Sequence, residues 1–331
     1  MSQLADTTRP VPDADAIDEG YTPSPFDPVD APIDLGPAEA RVRSRSAFAD
    51  YKDLTKPRIT RMVVVTAAIG FVFGFAGPIG ELPLLPFAIA MIGTALSCMA
   101  ASVFNQVMER DTDALMHRTR HRPLAAGRIA VKPALMFGAL LTVAGVGVLA
   151  AYGQYLAAGL CAFTIASYAL LYTPLKRRTS LALLIGAVPG AVPPMIGYAA
   201  AAHDLGPAAW LLFAIMFVWQ VPHFLAIAWL YRDDYARAKL AMLPVIDPTG
   251  LRTFRQTLIG CLLLLPLGIL PSAIGITGRW AFAAGLLCGL GFLAFGVMLV
   301  LKPTRDHARR LFFASLVYLP VVLAVMLIDR A

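Results

Sequence analysis

Along the chain, apolar residues run together in nine stretches separated by short polar ones, at about 60–77, 83–108, 133–151, 154–173, 181–202, 207–230, 256–276, 280–301 and 310–328. A helix needs roughly 20 apolar residues to cross the ~30 Å hydrocarbon core of a bilayer, and each run is about that long. The runs are continuous in Leu, Ala, Val, Ile and Phe, with Gly and Pro interspersed, and lack the strict in-out alternation of a membrane β-barrel. Helices satisfy their own backbone polar groups where no water can, so the pattern predicts an all-α, polytopic membrane protein with nine transmembrane helices. Composition agrees, with 58% hydrophobic and only 15% charged residues.

The fifth run is unusual in holding Pro189, Gly190, Pro193, Pro194 and Gly197 at membrane depth. Irregular backbone there must line a cavity or pack closely on protein, which makes this span central in either case.

The net charge of +7 suggests a nucleic-acid partner only until the basic residues are located. Lys52, Lys56, Arg58 and Arg61 crowd the approach to the first run, and Arg110, Arg118, Arg120, Arg122, Arg128 and Lys132 fill the loop after the second. Further groups follow the fourth, sixth and eighth runs, from Lys176 to Arg178, Arg232 to Arg255 and Lys302 to Arg310. The intervening loops are nearly bare. The positive-inside rule therefore predicts a cytoplasmic N-terminus and an external C-terminus, with a bacterial inner membrane as the simplest address. The excess charge is explained by the membrane, and no nucleic acid is expected.

Residues 1–46 are rich in Pro, Asp, Ala and Thr and poor in apolar residues, a composition that predicts a disordered cytoplasmic tail ahead of a transmembrane domain at 47–331. The tail lacks the basic start and apolar core of a secretory signal. Cys98, Cys161, Cys261 and Cys288 all lie in apolar runs without metal-ligand spacing and are expected to be packing residues.

The densest chemistry lies between Asn105 and Pro123, where three acids and four arginines sit at the end of the second run. Asn105, Glu109 and Asp113 follow each other at intervals of four, so a helix continuing through them lines their oxygens on one face. Hard cations such as Mg²⁺ take carboxylate and phosphate oxygens, and arginine forks bind phosphate, so the cluster suggests a metal-bridged diphosphate. A solvated helix end with ordinary ion pairs is the alternative. A second acidic group, Asp233-Asp234, leaves the sixth run towards the same side and could form an opposing wall. Lys176 and Arg177 add a basic rim that could hold the diphosphate or simply anchor the helix. Inside the sixth run, Trp219-Gln220-Val221-Pro222-His223-Phe224 places polar groups at membrane depth. His223 could ligate iron, transfer a proton or bond a carbonyl, and Pro222 should tend to kink the helix.

These blocks, with Leu54-Thr55-Lys56-Pro57-Arg58, Tyr172 to Arg177 and Met242-Leu243-Pro244-Val245, resemble the UbiA-type intramembrane prenyltransferases. The likeness runs from about 51 to 326, and the Trp219–Phe224 block with Asp234-Tyr235 points to the branch that farnesylates protohaem IX. The resemblance implies nine helices around a central cavity with cytoplasmic caps, and Mg²⁺-dependent transfer of farnesyl from farnesyl diphosphate to a vinyl group of haem b. It implies metal ligation by Asn105, Glu109, Asp113, Asp233 and Asp234, and diphosphate binding by Lys56, Arg118, Arg122, Lys176 and Arg177. His223 becomes a candidate for iron contact or proton handling, and haem A synthase a candidate downstream partner.

Three positions depart from the pattern. Glu109 stands where many members have Asp, only Asp233 and Asp234 represent the second acidic motif, and Lys239 stands where the branch has Gly. An aromatic quinone precursor is the runner-up acceptor. A transporter, the reading from another class, fits poorly because no paired repeats stand out and the acids cluster at one face.

Overall fold

The computed structural model describes residues 46–330 of the 331-residue chain. The expectation of a disordered tail falls almost entirely on residues outside that range. Among the described residues nine helices are long and apolar enough to cross a membrane, and they coincide with the nine apolar runs. No strand is formed among the described residues. One isolated bridge, between Thr277 and Arg330, is the only extended pairing among these residues.

A short helix, α1 (Ala47–Leu54), precedes the first span, α2 (Pro57–Gly74). Then come α3 (Leu84–Leu115), α4 (Val131–Ala151), α5 (Tyr155–Leu175) and α6 (Ala182–Ala202). The sixth span, α7 (Pro207–Leu230), leads through two short helices, α8 (Arg232–Arg237) and α9 (Leu243–Ile246), into α10 (Leu251–Ala273), α11 (Arg279–Leu301) and α12 (Arg305–Ile328). Neighbours in sequence mostly pack together, and α7 also packs on α12 while α2 packs on α6. The buried side chains of α7, α10, α11 and α12 form one apolar core, and those of α2 to α6 supply two others.

Three features set the shape around the site. First, α3 is 32 residues long, about 48 Å at 1.5 Å per residue, and therefore longer than a bilayer core is thick. Its last third carries Asn105, Glu109 and Asp113, the last two beyond the apolar run expected to end at 108. Second, α6 breaks at Val192, where Pro193 and Pro194 begin a new helical segment. The break coincides with close backbone contact. A Cβ on Gly197 would stand 1.8 Å from the Ala67 carbonyl oxygen, and one on Gly70 would stand 1.9 Å from that of Pro194. Lipid gives helices no hydrophobic drive to associate, so such approach of small residues is how α2 and α6 gain contact. By contrast, α7 continues as a helix through Pro222. Third, α5 widens into a π-helical turn at Ser167–Tyr172 before its last residues.

The end of the bundle opposite this region is tied by the last residues. Arg330 donates to the carbonyls of Val72, Phe75 and Gly77, where α2 leaves its carbonyls unpaired. Asp329 accepts from the Ala281 amide at the start of α11, at 2.8 Å.

Candidate active site

The polar cavity begins with the placement of Lys56. Between α1 and α2 the backbone reverses at Lys56, whose φ of 46° and ψ of 62° are left-handed, followed by Pro57 in the first turn of α2. A residue before proline is barred from the ordinary helical region, and a non-glycine residue in the left-handed one costs roughly 1–2 kcal/mol. Side-chain contacts hold α1 in place. Gln106 donates to the Leu54 carbonyl at 2.9 Å, and Arg128 grips the buried Asp50 carboxylate at 3.0 and 3.1 Å. Lys56 is thereby aimed at α3, where its ammonium donates to Asn105 Oδ1 at 2.8 Å.

From there the polar groups interlock. Asn105 Nδ2 donates to Glu109 Oε1 at 2.6 Å and to Thr173 Oγ1 at 3.3 Å, and Lys176 Nζ lies 2.5 Å from the same Glu109 oxygen. Arg122 forks from its single nitrogen Nη1 to both carboxylate oxygens of Asp113, at 2.9 and 2.7 Å. That fork depends on the loop after α3 folding back, since Thr119 Oγ1 donates to the Asp113 carbonyl at 2.9 Å and the Arg122 amide to the Thr119 carbonyl at 2.9 Å. Arg118 lies over the rings of Tyr231 and Tyr235, 5.2 and 5.9 Å from their centroids, and donates to Tyr235 Oη at 3.3 Å. Burial, with Arg122 nearby, lowers the Lys56 ammonium to about 8 against the pull of Glu109 and Asp113. Burial likewise raises the Tyr235 phenol, with Arg118 acting in the opposite direction.

Together these groups enclose a cavity of about 130 Å³, the share of roughly four waters and so the size of a head group. Four cations, Lys56, Arg118, Arg122 and Lys176, face two carboxylates, Glu109 and Asp113, leaving a formal excess of two positive charges. A second cavity of about 120 Å³ is lined by Ile59, Val63, Ala101, Pro189, Pro193 and Ile196, and the broken α6 supplies one of its walls. Lys56 and Tyr168 belong to the walls of both cavities.

The structure thus gathers Lys56, Asn105, Glu109, Asp113, Arg118, Arg122 and Lys176, and leaves four other expected residues outside the cavity wall. Arg177 donates to the Met108 carbonyl at 3.2 Å on an exposed face. Asp233 is exposed and lies 3.6 Å from Arg232. Asp234 is buried but paired with Arg237, and its neighbour Tyr235 reaches the cavity instead. His223 belongs to the α7–α12 contact. Its Nδ1 lies 2.7 Å from Ser315 Oγ, and its ring stacks on Trp219 at 4.6 Å.

Sequence reading passed over Tyr168, and named Thr173 and Met242 only within blocks of resemblance, with no role in the site. Tyr168 precedes Tyr172 by one helical turn, an aromatic pair hidden within an apolar run. The oxygens of Asn105, Glu109 and Asp113 on one cavity wall are suited to a hard cation. Among the described residues no cluster of three or more His, Cys, Asp or Glu forms a metal cage. The donor set therefore fits an ion held by a few protein oxygens and completed by phosphate.

The sequence matches the model of the UbiA prenyltransferase family over residues 63–317. The chain belongs to this family. A protein named protoheme IX farnesyltransferase from Solibacter usitatus (strain Ellin6076) is 45% identical over 287 residues, covering 85% of this chain and 98% of that protein. In fold, this UbiA member is similar to a structure of a digeranylgeranylglyceryl phosphate synthase in membranes, with a TM-score of 0.72 and 16% identity over 85% of this chain and 98% of the other. A UbiA homologue from Archaeoglobus fulgidus bound to DMAPP and Mg²⁺ aligns with a TM-score of 0.59 and 15% identity, over 84% of this chain and 99% of the other. The chain is a multi-pass membrane prenyltransferase.

Proposed function

We propose that this prenyltransferase moves the farnesyl group of farnesyl diphosphate onto a vinyl group of haem b, with addition of water, giving haem O and diphosphate. The observation that carries the reading is the pair of cavities, one cationic and head-group sized, the other apolar, with two residues common to their walls. A prenyl diphosphate has that polarity along its length. The acceptor is inferred from the farnesyltransferase relative, whose sequence parallels nearly the whole transmembrane domain.

Lys56, Arg118, Arg122 and Lys176 bind and orient the diphosphate, held in place by Asn105, Tyr235, Asp113 and Glu109 respectively. Asn105, Glu109 and Asp113 would hold Mg²⁺, which when bound neutralises charge building on the leaving diphosphate. Asp234, paired with Arg237, steadies the segment that presents Tyr235 to Arg118. The site opens to the cytoplasm of a bacterial inner membrane, since its loops carry most of the basic residues.

The test is to incubate membranes containing the chain with haem b, farnesyl diphosphate and Mg²⁺ and to look by liquid chromatography and mass spectrometry for a heavier, more hydrophobic haem. Formation of that product, its loss on chelation, and a fall of about 100-fold or more in Asp113→Asn support the proposal. Diphosphate release with a phenolic acceptor but not with haem would reassign the acceptor.

A further inference from the structure

We propose that Tyr168 is a catalytic residue whose ring face stabilises positive charge on the first carbon of the prenyl chain as the carbon–oxygen bond breaks. This rests on the reading of a prenyl diphosphate in the paired cavities. Such a substrate changes from charged to apolar at one atom, the carbon bonded to the diphosphate. The residues common to both walls, Lys56 and Tyr168, flank that atom. A lysine cation opposes new positive charge, whereas the negative face of an aromatic ring attracts it.

Local structure holds the ring in place. The π-helical turn at Ser167–Tyr172 brings the Tyr168 and Tyr172 rings to 5.1 Å, inclined at 34°. Single π turns recur at functional sites because they re-aim side chains. Thr173 Oγ1 donates to the Tyr168 carbonyl at 2.9 Å and accepts from Asn105 Nδ2 at 3.3 Å, so the turn is tied to the face of α3 that carries the acids. Lys176 stands over Tyr172, 5.9 Å from its centroid. Among the described residues no lysine or arginine stands over Tyr168.

The chemistry balances without a further reagent. The bonding pair leaves with the diphosphate oxygen, and the outer carbon of the acceptor's vinyl group supplies the electrons of the new carbon–carbon bond. The cation left on the inner vinyl carbon takes the oxygen of water, whose proton goes to solvent or diphosphate.

The experiment places Leu, Phe and phenylalanines of increasing ring fluorination at position 168 in the full chain, purified in lipid nanodiscs. Diphosphate release and haem product are followed, and affinity is measured for the non-ionising analogue farnesyl S-thiolodiphosphate. Tyr168→Phe should keep kcat within about threefold, and Tyr168→Leu should lose about 30-fold or more, with analogue affinity unchanged within about twofold. Fluorination should lower kcat stepwise as the ring face loses negative charge. A flat fluorine series, full activity in Tyr168→Leu, or parallel loss of analogue binding and kcat would overturn the proposal.

Release is measurable with either acceptor. If the wild-type chain releases diphosphate with a phenol and not with haem, the haem assignment fails while the fluorine series still decides on Tyr168. Absence of release with both acceptors would overturn both.

Discussion

Lys239 stands where the resemblance led to the expectation of Gly, and its backbone gives a physical reason for that expectation. Its φ is 51°, just past the end of α8, with the Leu240 amide bonded to the Tyr235 carbonyl at 3.0 Å and its own amide to that of Ala236 at 2.9 Å. This is the left-handed helix stop that glycine makes without steric cost. Lys239→Gly should therefore raise stability by about 1 kcal/mol, read as a higher midpoint of thermal unfolding in detergent. An unchanged or lower midpoint would mean that the lysine makes a compensating contact. The acids of the polar cavity were legible as residues because Asn105, Glu109 and Asp113 recur at intervals of four and so share one helix face, and the bases because they crowd the same end of the bundle. Tyr168 and Thr173 were not, because an aromatic and a hydroxyl in an apolar run read equally well as packing. Their role depends on a helix register that the π turn shifts and no local sequence signal announces. The neighbours of Asp234 and His223 were equally invisible, since Arg237 and Ser315 are chosen by the fold.

At the scale of elements, the packing of α2 against α6 is the most exacting contact described. Gly197 and Gly70 each meet a carbonyl at a distance no side chain tolerates. Gly197→Val should force the two helices apart, costing about 1–3 kcal/mol and opening the wall of the apolar cavity that Ile196 and Pro193 share. Thermal unfolding would show the first effect and weaker farnesyl diphosphate binding the second. Wild-type values for both would show that the helices can separate freely. The sequence announced this region by its density of Gly and Pro but left two readings, cavity lining and tight crossing. The structure uses both, with Pro189, Gly190 and Pro193 lining the cavity and Pro194 and Gly197 meeting α2. Helix limits were legible to within a few residues wherever charge or proline ended an apolar run. The second span ran on to Leu115, because the polar face of a helix that lines a site does not look like membrane helix.

For the molecule as a whole, the coincidence of nine apolar runs with nine helices reflects the force of one constraint, that no backbone polar group can go unpaired in lipid. The proposed orientation rests on loop charge and is open to direct measurement. Reporter fusions in the loops after α3 and α7 should report cytoplasm, and those in the loops after α4 and α11's predecessor α10 should report the opposite compartment. The reverse pattern would overturn the orientation and move the polar cavity to the other side.

The bond from Arg330 to the end of α2 joins residues 258 positions apart in the chain. A ribosome feeding the membrane inserts α2 early, yet the carbonyls of Val72, Phe75 and Gly77 wait for their donor until residue 330 has been made. During synthesis the first span is therefore an unfinished helix end. Its closure has to follow the synthesis of all nine described spans.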